Sequence, residues 1–408
     1  MADALAPAGR CGIDTVAIAR IERLLDETPA EALRKFFSAL ELEESGEGPG
    51  RAASLAARFA AKEACVKLFP REAALGQIEP EDFSIARDNY GAPRVVCGPR
   101  ATELLGRHRI ASIAVSLTHD RVNASAVAQA ERANVDVPPA GRFFFRFLPL
   151  RRAVILANLR RVYGETLPKA EIEALAQAHY GHLWRLAGEF LRYRWLSAAQ
   201  KAALVRVENV EAFAAALEQR KGVLVLTGHF GNWELLAHAI GLCGNPIHLV
   251  HRPFRNPLFD DFVNAERRRS GTVLISKRRA AHEIIQVLRQ RGIVAVPFDQ
   301  NATGRWGVFA EFFGVPASTH PGLARLHELS GAPVYPVFLV RKDRSPRHEI
   351  VILPRVETVR GGGRERDTVE NTRRFNRVFE AMVREHPDHW IWMHKRWRTR
   401  PLGEPSIY

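Results

Sequence analysis

The chain has 408 residues, 46% hydrophobic and 25% charged, with a formal net charge of +14 and a pI near 10.1. At roughly 150 residues per domain this predicts two or three domains with ordinary buried cores. The positive charge calls for an acidic partner: nucleic acid, anionic lipid headgroups or an acidic carrier protein. No RNA- or DNA-reading motif occurs, and the aromatics do not interleave with Lys/Arg as a single-strand platform needs, so nucleic acid is excluded.

Cys11, Cys65, Cys97 and Cys243 are scattered without a C-x-x-C pair, which argues against a disulfide framework or structural zinc and suits a reducing cytosol. Asp3 and Arg10 without an apolar core argue against a signal peptide. The longest apolar runs, such as Val223–Leu226 and Ile293–Val296, are strand-sized and far short of the ~20 residues needed to span a bilayer. A soluble, cytoplasmic protein is expected, peripheral on the inner membrane at most.

From Gly12 to about Glu131, short strands and helices alternate. Cys11–Ile18 reads as a strand, Ser54–Leu68 as an Ala-rich helix, and Pro93–Val96, Ile113–Leu117 and Ala124–Val127 as further strands. Residues 134–141, with two prolines and a glycine, read as a linker. The expected division is 1–132, a linker with a basic aromatic stretch at 133–147, and 148–408. From Gly222 onward, buried strands at Val223–Leu226, Ile293–Pro297 and Val334–Val340 alternate with helices at Glu234–Gly241, His282–Arg289 and Pro321–Ser330. That order predicts an α/β unit whose sheet is covered on both faces.

Asp14 follows a strand-like Gly-Ile, and Glu63 lies mid-helix in Arg58-Phe-Ala-Ala-Lys-Glu-Ala64. Two carboxylates converging from a strand and a helix suit a hard cation such as Mg²⁺, and basic neighbours suit a polyphosphate. Read alone, the i,i+4 pairs Arg58/Lys62 and Glu63/Lys67 are equally those of a surface helix. Three motifs in order decide the reading: Gly12-Ile-Asp-Thr-Val-Ala-Ile-Ala-Arg-Ile21, Arg58–Ala64 and Val115-Ser-Leu-Thr-His119. Residues 11–130 resemble the holo-acyl-carrier-protein synthase type of 4′-phosphopantetheinyl transferase, with an α+β fold. The resemblance implies transfer of phosphopantetheine from coenzyme A to a serine of apo acyl carrier protein, using Mg²⁺. It also implies Asp14 and Glu63 as metal ligands, Lys62 near the reacting serine, and Arg58, Lys67, Ser116 and His119 at the coenzyme A site. Relatives of this type are commonly trimers. After Lys67 this chain runs Leu-Phe-Pro-Arg71, where the family more often has a small Gly-containing loop.

The second cluster is His229-Phe-Gly-Asn-Trp-Glu234, after the strand-like Val223–Thr227. On a continuous helix, residues five apart lie about 140° apart, off a common face. Gly231-Asn232 permits a turn, leaving His229 on a loop with Glu234 opening the next helix. In that geometry the Glu234 carboxylate orients the imidazole, and His229 becomes a general base for a hydroxyl attacking a thioester. His251-Arg-Pro253, Glu266-Arg-Arg-Arg269, Pro297-Phe-Asp-Gln300, Phe312–Ala317, Gly331-Ala-Pro333 and Trp390–Trp397 follow. Residues 148–400 resemble the lipid A biosynthesis lauroyl/myristoyl acyltransferases, with a glycerolphosphate-acyltransferase-like sheet covered by helices. The resemblance implies His229 and Glu234 as the catalytic pair, with Asp299, Arg267 and Arg252 in support. Trp392 and Trp397 read as core.

Members of that family commonly begin with a transmembrane helix. Here Phe143, Phe144, Phe145, Phe147 and Leu148 stand among Arg142, Arg146, Arg151 and Arg152, either in a membrane interface or packed on the core. His179/His182 and His386/His389 have helical spacing but no completing ligand, and read as structural or exposed. The combined expectation is a bifunctional transferase sharing an acyl carrier protein partner and acting on a lipid acceptor at the membrane surface. The alternative is an inactive carrier-docking unit fused to a lysophospholipid- or glycolipid-type acyltransferase.

Overall fold

The computed structural model describes residues 10–74, 76–88, 91–132, 135–207, 222–242, 246–251, 256–269, 271–276, 280–304, 307–341 and 345–408. The chain divides into two compact units, Met1–Asn134 and Val135–Tyr408.

In the first unit, β1 (Arg10–Ala17), α1 (Ile18–Glu27), α2 (Ala39–Glu44) and α3 (Arg51–Val66) precede a hairpin of β2 (Phe83–Arg87) and β3 (Pro93–Cys97). Then come α4 (Pro99–His108), β4 (Ile110–His119) and β5 (Asn123–Arg132). The three long strands form an antiparallel sheet in the order β1-β5-β4. α3 is buried along most of its length because Ala56, Ala57, Ala60, Ala61 and Ala64 let strands and helices approach closely. The tightest approach is at Gly12 of β1, where a Cβ would lie 2.1 Å from the Ala64 carbonyl oxygen. Alternation puts Gly12, Asp14 and Val16 on the face toward α3, and leaves Ile13 on the outer face.

The second unit opens with α5 (Pro139–Phe147), α6 (Arg152–Tyr163), α7 (Lys169–Tyr193) and a short α8 (Ala198–Ala202). Residues 139–147, expected within a linker, are thus a helix packed against α7, because Phe144 and Phe145 find partners there. Phe144 meets Trp184 at 5.0 Å and Phe145 meets Tyr180 at 6.2 Å between ring centroids. Phe143, Phe147, Leu148 and Leu150 stay exposed. Phe144 and Phe145 therefore take the expected packing role, while Phe143 and Phe147 do not pack into the core.

A seven-stranded sheet follows: β6 (Val205–Val207), β7 (Val223–Thr227), β8 (Ile247–His251), β9 (Val273–Ser276), β10 (Ile293–Pro297), β13 (Val334–Arg341) and β14 (His348–Ile352), with β11 (Val308–Phe312) and β12 (Val315–Thr319) forming a separate hairpin. Its order is β6-β14-β13-β7-β10-β8-β9, with β13, β7, β10, β8 and β9 parallel. The crossover helices are α9 (Trp233–Leu242), α10 (Pro257–Arg269), α11 (Ala280–Arg289) and α12 (Gly322–Ser330), and α13 (Arg364–Glu385) follows the last strand. Every residue of β7 is buried: Val223 and Val225 join the core under α9, while Leu224 and Leu226 join that under α11, α12 and α13. This is the two-sided burial expected of a parallel strand. Trp392 and Trp397 lie fully buried in a third core with Phe312 and Phe379.

Candidate active sites

In the first unit, Lys67 donates to an Asp14 carboxylate oxygen at 2.7 Å and to the Ile13 carbonyl at 3.0 Å. Glu63 lies close by on α3. Burial and the neighbouring Asp14 carboxylate push its carboxyl above the ordinary value, against the opposing charges of Lys67 and Arg20. A strand carboxylate and a helix carboxylate this close together are a donor set suited to a hard divalent cation. The structure thus gathers Asp14, Glu63 and Lys67. It adds Arg20, which lies over the Phe59 ring at 5.4 Å and stands in the first motif without an assigned role.

Arg58 and Lys62 are not part of this group. Both point from the other side of α3 toward α2. The Lys62 ammonium is 1% exposed and binds Glu41 and the Phe36 carbonyl, each at 2.7 Å, over the Phe37 ring. Arg58 donates to Glu44 at 2.9 Å, to Ser54 and to the Ile85 carbonyl. The expected roles near the reacting serine and on coenzyme A phosphates are corrected accordingly: a helical i,i+4 pair shares one face, and here that face is the buried one. Ser116 and His119 lie exposed on β4, and strand alternation puts them on opposite faces of the sheet.

In the second unit, His229 follows β7 and Asp299 follows β10, adjacent parallel strands, at their carboxyl ends where open α/β sheets place ligands. Gly228 is forced: a Cβ there would lie 2.5 Å from the Phe379 ring and 2.8 Å from the Asp299 carboxyl carbon. Gly231 (φ +56°) makes the predicted turn and lies so close to Leu339 that any Cβ would overlap its carbonyl oxygen. Asn232 then caps α9, accepting from Leu235 N at 3.0 Å.

His229 Nδ1 lies 3.0 Å from Asp299 Oδ1, and Trp390 Nε1 donates to Asp299 Oδ2 at 3.0 Å. Asp299 is 2% exposed. Burial opposes its ionisation, but His229 and the Trp390 N–H outweigh that and hold its pKa down to about 2. Burial likewise opposes charging His229, yet Asp299 and, more weakly, Glu234 raise its pKa above the ordinary value. With Nδ1–H given to Asp299, Nε2 carries the lone pair and faces the Gln300 amide at 3.4 Å.

The carboxylate that orients His229 is therefore Asp299 and not Glu234. Glu234, in the first turn of α9, turns toward α10 and takes a bidentate pair from Arg267, at 2.9 and 2.7 Å. Of the three arginines at 267–269, Arg267 is the one at the site; Arg269 pairs with Glu266. Arg252 lies outside the described residues. Trp390 and Gln300 were given no role from sequence, although both stand inside quoted motifs.

The two histidine pairs, unrelated in sequence, meet beneath the loop. His182, Asp388 and His389 bring ligand-type atoms within 4.8 Å of one another. His389 sits between Asp388 and the Arg341 N–H, and His182 Nε2 lies 3.2 Å from the Gly231 carbonyl. Gly231 N in turn donates to the His389 carbonyl at 3.0 Å. These contacts pin the His229 loop from below.

The second unit thus holds a histidine on a buried carboxylate at the carboxyl edge of a parallel sheet, beside an acidic group clamped by arginine, and the first a carboxylate pair in an α+β unit; the family matches make both units transferases. Residues 137–399 match bacterial lipid A biosynthesis acyltransferase, and residues 10–127 match the 4′-phosphopantetheinyl transferase superfamily. A lipid A biosynthesis palmitoleoyltransferase of Escherichia coli (strain K12) is 31% identical over 50% of this chain and 64% of its own length. A lipid A biosynthesis lauroyltransferase of the same organism is 26% identical over 66% of this chain and 86% of its own. A holo-[acyl-carrier-protein] synthase of Moorella thermoacetica is 38% identical over 29% of this chain and 91% of its own length. The chain belongs to the bacterial lipid A biosynthesis acyltransferase family and carries an N-terminal unit of the 4′-phosphopantetheinyl transferase superfamily. It spans less than two thirds of the first of these relatives, 64%.

Proposed function

We propose that the chain is a bifunctional transferase acting on acyl carrier protein. The second unit moves an acyl group from a carrier-protein thioester to a hydroxyl of a lipid acceptor, a lipid A precursor or a related lipid. His229 Nε2 takes the hydroxyl proton as the oxygen attacks the thioester carbonyl. The C–S bond then breaks, and the leaving sulfur receives the proton from the imidazolium, which Asp299 has stabilised. The His229–Asp299–Trp390 chain carries this reading, because it fixes one tautomer and leaves one nitrogen for the acceptor. Glu234 and Arg267 hold their side of the cleft in place.

The first unit moves phosphopantetheine from coenzyme A to a serine of apo carrier protein. Asp14 and Glu63 would hold Mg²⁺, which supplies charge neutralisation for the diphosphate. Lys67 and Arg20 add positive charge beside them, with Ser116 and His119 toward the nucleotide in an assembly of several copies. The exposed Ile13 and Val127 on the outer sheet face support a homotrimer. One observation favours a second reading, a docking unit without activity: Arg58 and Lys62 are both engaged in buried ion pairs.

Among the described residues no helix is long and apolar enough to cross a membrane. Adsorption to an anionic lipid surface is supported by Phe143, Phe147, Trp184, Leu191 and Trp195, all exposed, with Arg142, Arg146, Arg192 and Arg194 close to them in the chain. Mass spectrometry tests both activities: apo carrier protein should gain phosphopantetheine with coenzyme A and Mg²⁺, and lipid extract should gain acyl chains from acylated carrier. Absence of the first reaction in the wild type selects the docking reading. Absence of the second removes the acyltransferase reading.

A further inference from the structure

Behind the Glu234–Arg267 pair lies a cleft lined by Tyr193, Lys201, Glu234, His238, Glu266 and Arg267. His238 stands one helical turn after Glu234 on α9, so both face this space. It is 7% exposed, and among the described residues neither ring nitrogen has a hydrogen-bond partner. Buried polar atoms are almost always paired, so an orphaned imidazole in a cleft wall marks a place for a ligand. Lys201 of α8 is 9% exposed and close enough to His238 for its charge to act on the ring. The two carboxylates of the cleft are already engaged, Glu234 by Arg267 and Glu266 by Arg269, and among the described residues neither is paired with the Lys201 ammonium.

We propose that Lys201 and His238 form a binding site for a phosphate group of one of the acyl-transfer substrates. An oxyanion between them accepts from the ammonium and from the ring N–H, giving partners to both. Arg267 and Glu234, which line this cleft, also act electrostatically on His229, so a ligand anchored here lies beside the general base. The assignment to a substrate rests on the acyl-transfer reading; the existence of the phosphate site does not. Two sources share the chemistry: a phosphate on the lipid acceptor and the phosphodiester of the donor's phosphopantetheine arm.

The site is tested first without any acyl donor. Inorganic phosphate, with chloride at equal ionic strength as reference, should move the His238 ring resonance, identified by its loss in His238→Phe. The movement should disappear in Lys201→Met and persist in Lys201→Arg and in His229→Ala. No movement in the wild type, or the same movement in Lys201→Met, overturns the site. Kinetics then separate the sources. A KM at least tenfold lower for a phosphorylated acceptor than for its dephosphorylated counterpart, lost in Lys201→Met, places the acceptor's phosphate here. The same loss between acyl-coenzyme A and a phosphate-free acyl thioester places the donor's. Equal KM values in both comparisons overturn the substrate assignment.

Discussion

His229 and Asp299 stand 70 residues apart in the chain, and their side chains meet at 3.0 Å because β7 and β10 run side by side and end together. Asp299→Asn keeps the shape but offers an amide in place of the buried charge that selects the His229 tautomer. Acyl transfer should fall by roughly 10⁴-fold, the scale of the equivalent change in serine-protease triads, with KM for the acceptor little altered. A loss below tenfold in steady-state kinetics would assign the orienting role elsewhere.

The pH profile should follow the same pair. A general base works when neutral, and Asp299 holds the His229 pKa above 6.5. The acyl-transfer rate should therefore climb with pH through a midpoint above 6.5, and Asp299→Asn should move that midpoint down. The Asp299 carboxylate itself, with a folded pKa of about 2 against an ordinary 3.8, contributes stability that is present above pH 3.8 and lost as pH falls toward 2. A midpoint unchanged by the substitution would uncouple the two side chains.

Arg267 grips Glu234 through two parallel hydrogen bonds that a lysine cannot make. Arg267→Lys should lower kcat/KM for acyl transfer, and a double-mutant cycle with Glu234→Gln should give a coupling of about 1.5–3 kcal/mol. Additive effects would mean that the pair is incidental to catalysis.

Lys62 tests the reassignment within the first unit. Removing one partner of a buried ion pair strands the other, at a cost of about 3–5 kcal/mol, so Lys62→Met should lower stability in urea titrations by that order. The double change with Glu41→Leu should recover part of the loss. A fully stable Lys62→Met that lacks phosphopantetheine transfer would restore the serine-side role.

The two activities should separate by residue. Asp14→Asn and Glu63→Gln should abolish Mg²⁺-dependent phosphopantetheine transfer and leave acyl transfer from holo-derived donor intact, while His229→Ala should do the reverse. Mass spectrometry of carrier protein and lipid reads both, and a variant that removes both activities at once would argue against independent sites.

The strands at Val223–Thr227, Ile293–Pro297 and Val334–Arg341 and the helix at Arg51–Val66 were legible from residue order, because apolar periodicity is a local property; the helix at Pro139–Phe147 was not, because its prolines and glycine read as a linker. The ordered motifs likewise carried both family resemblances, and Gly231 announced the turn after His229. Side-chain partnership was another matter. Asp14 and Glu63 come together because Gly12 lets β1 close on α3, whereas Arg58 and Lys62, on the same helix, find Glu44 and Glu41 instead. The turn at Gly231-Asn232 and the family resemblance pair His229 with Glu234; the sheet pairs it with Asp299 and hands Glu234 to Arg267. Chain order thus determines what each segment becomes and which chemical groups are present. Which group meets which depends on strand adjacency and helix facing across tens of residues, and those are decided only when the apolar faces are buried together.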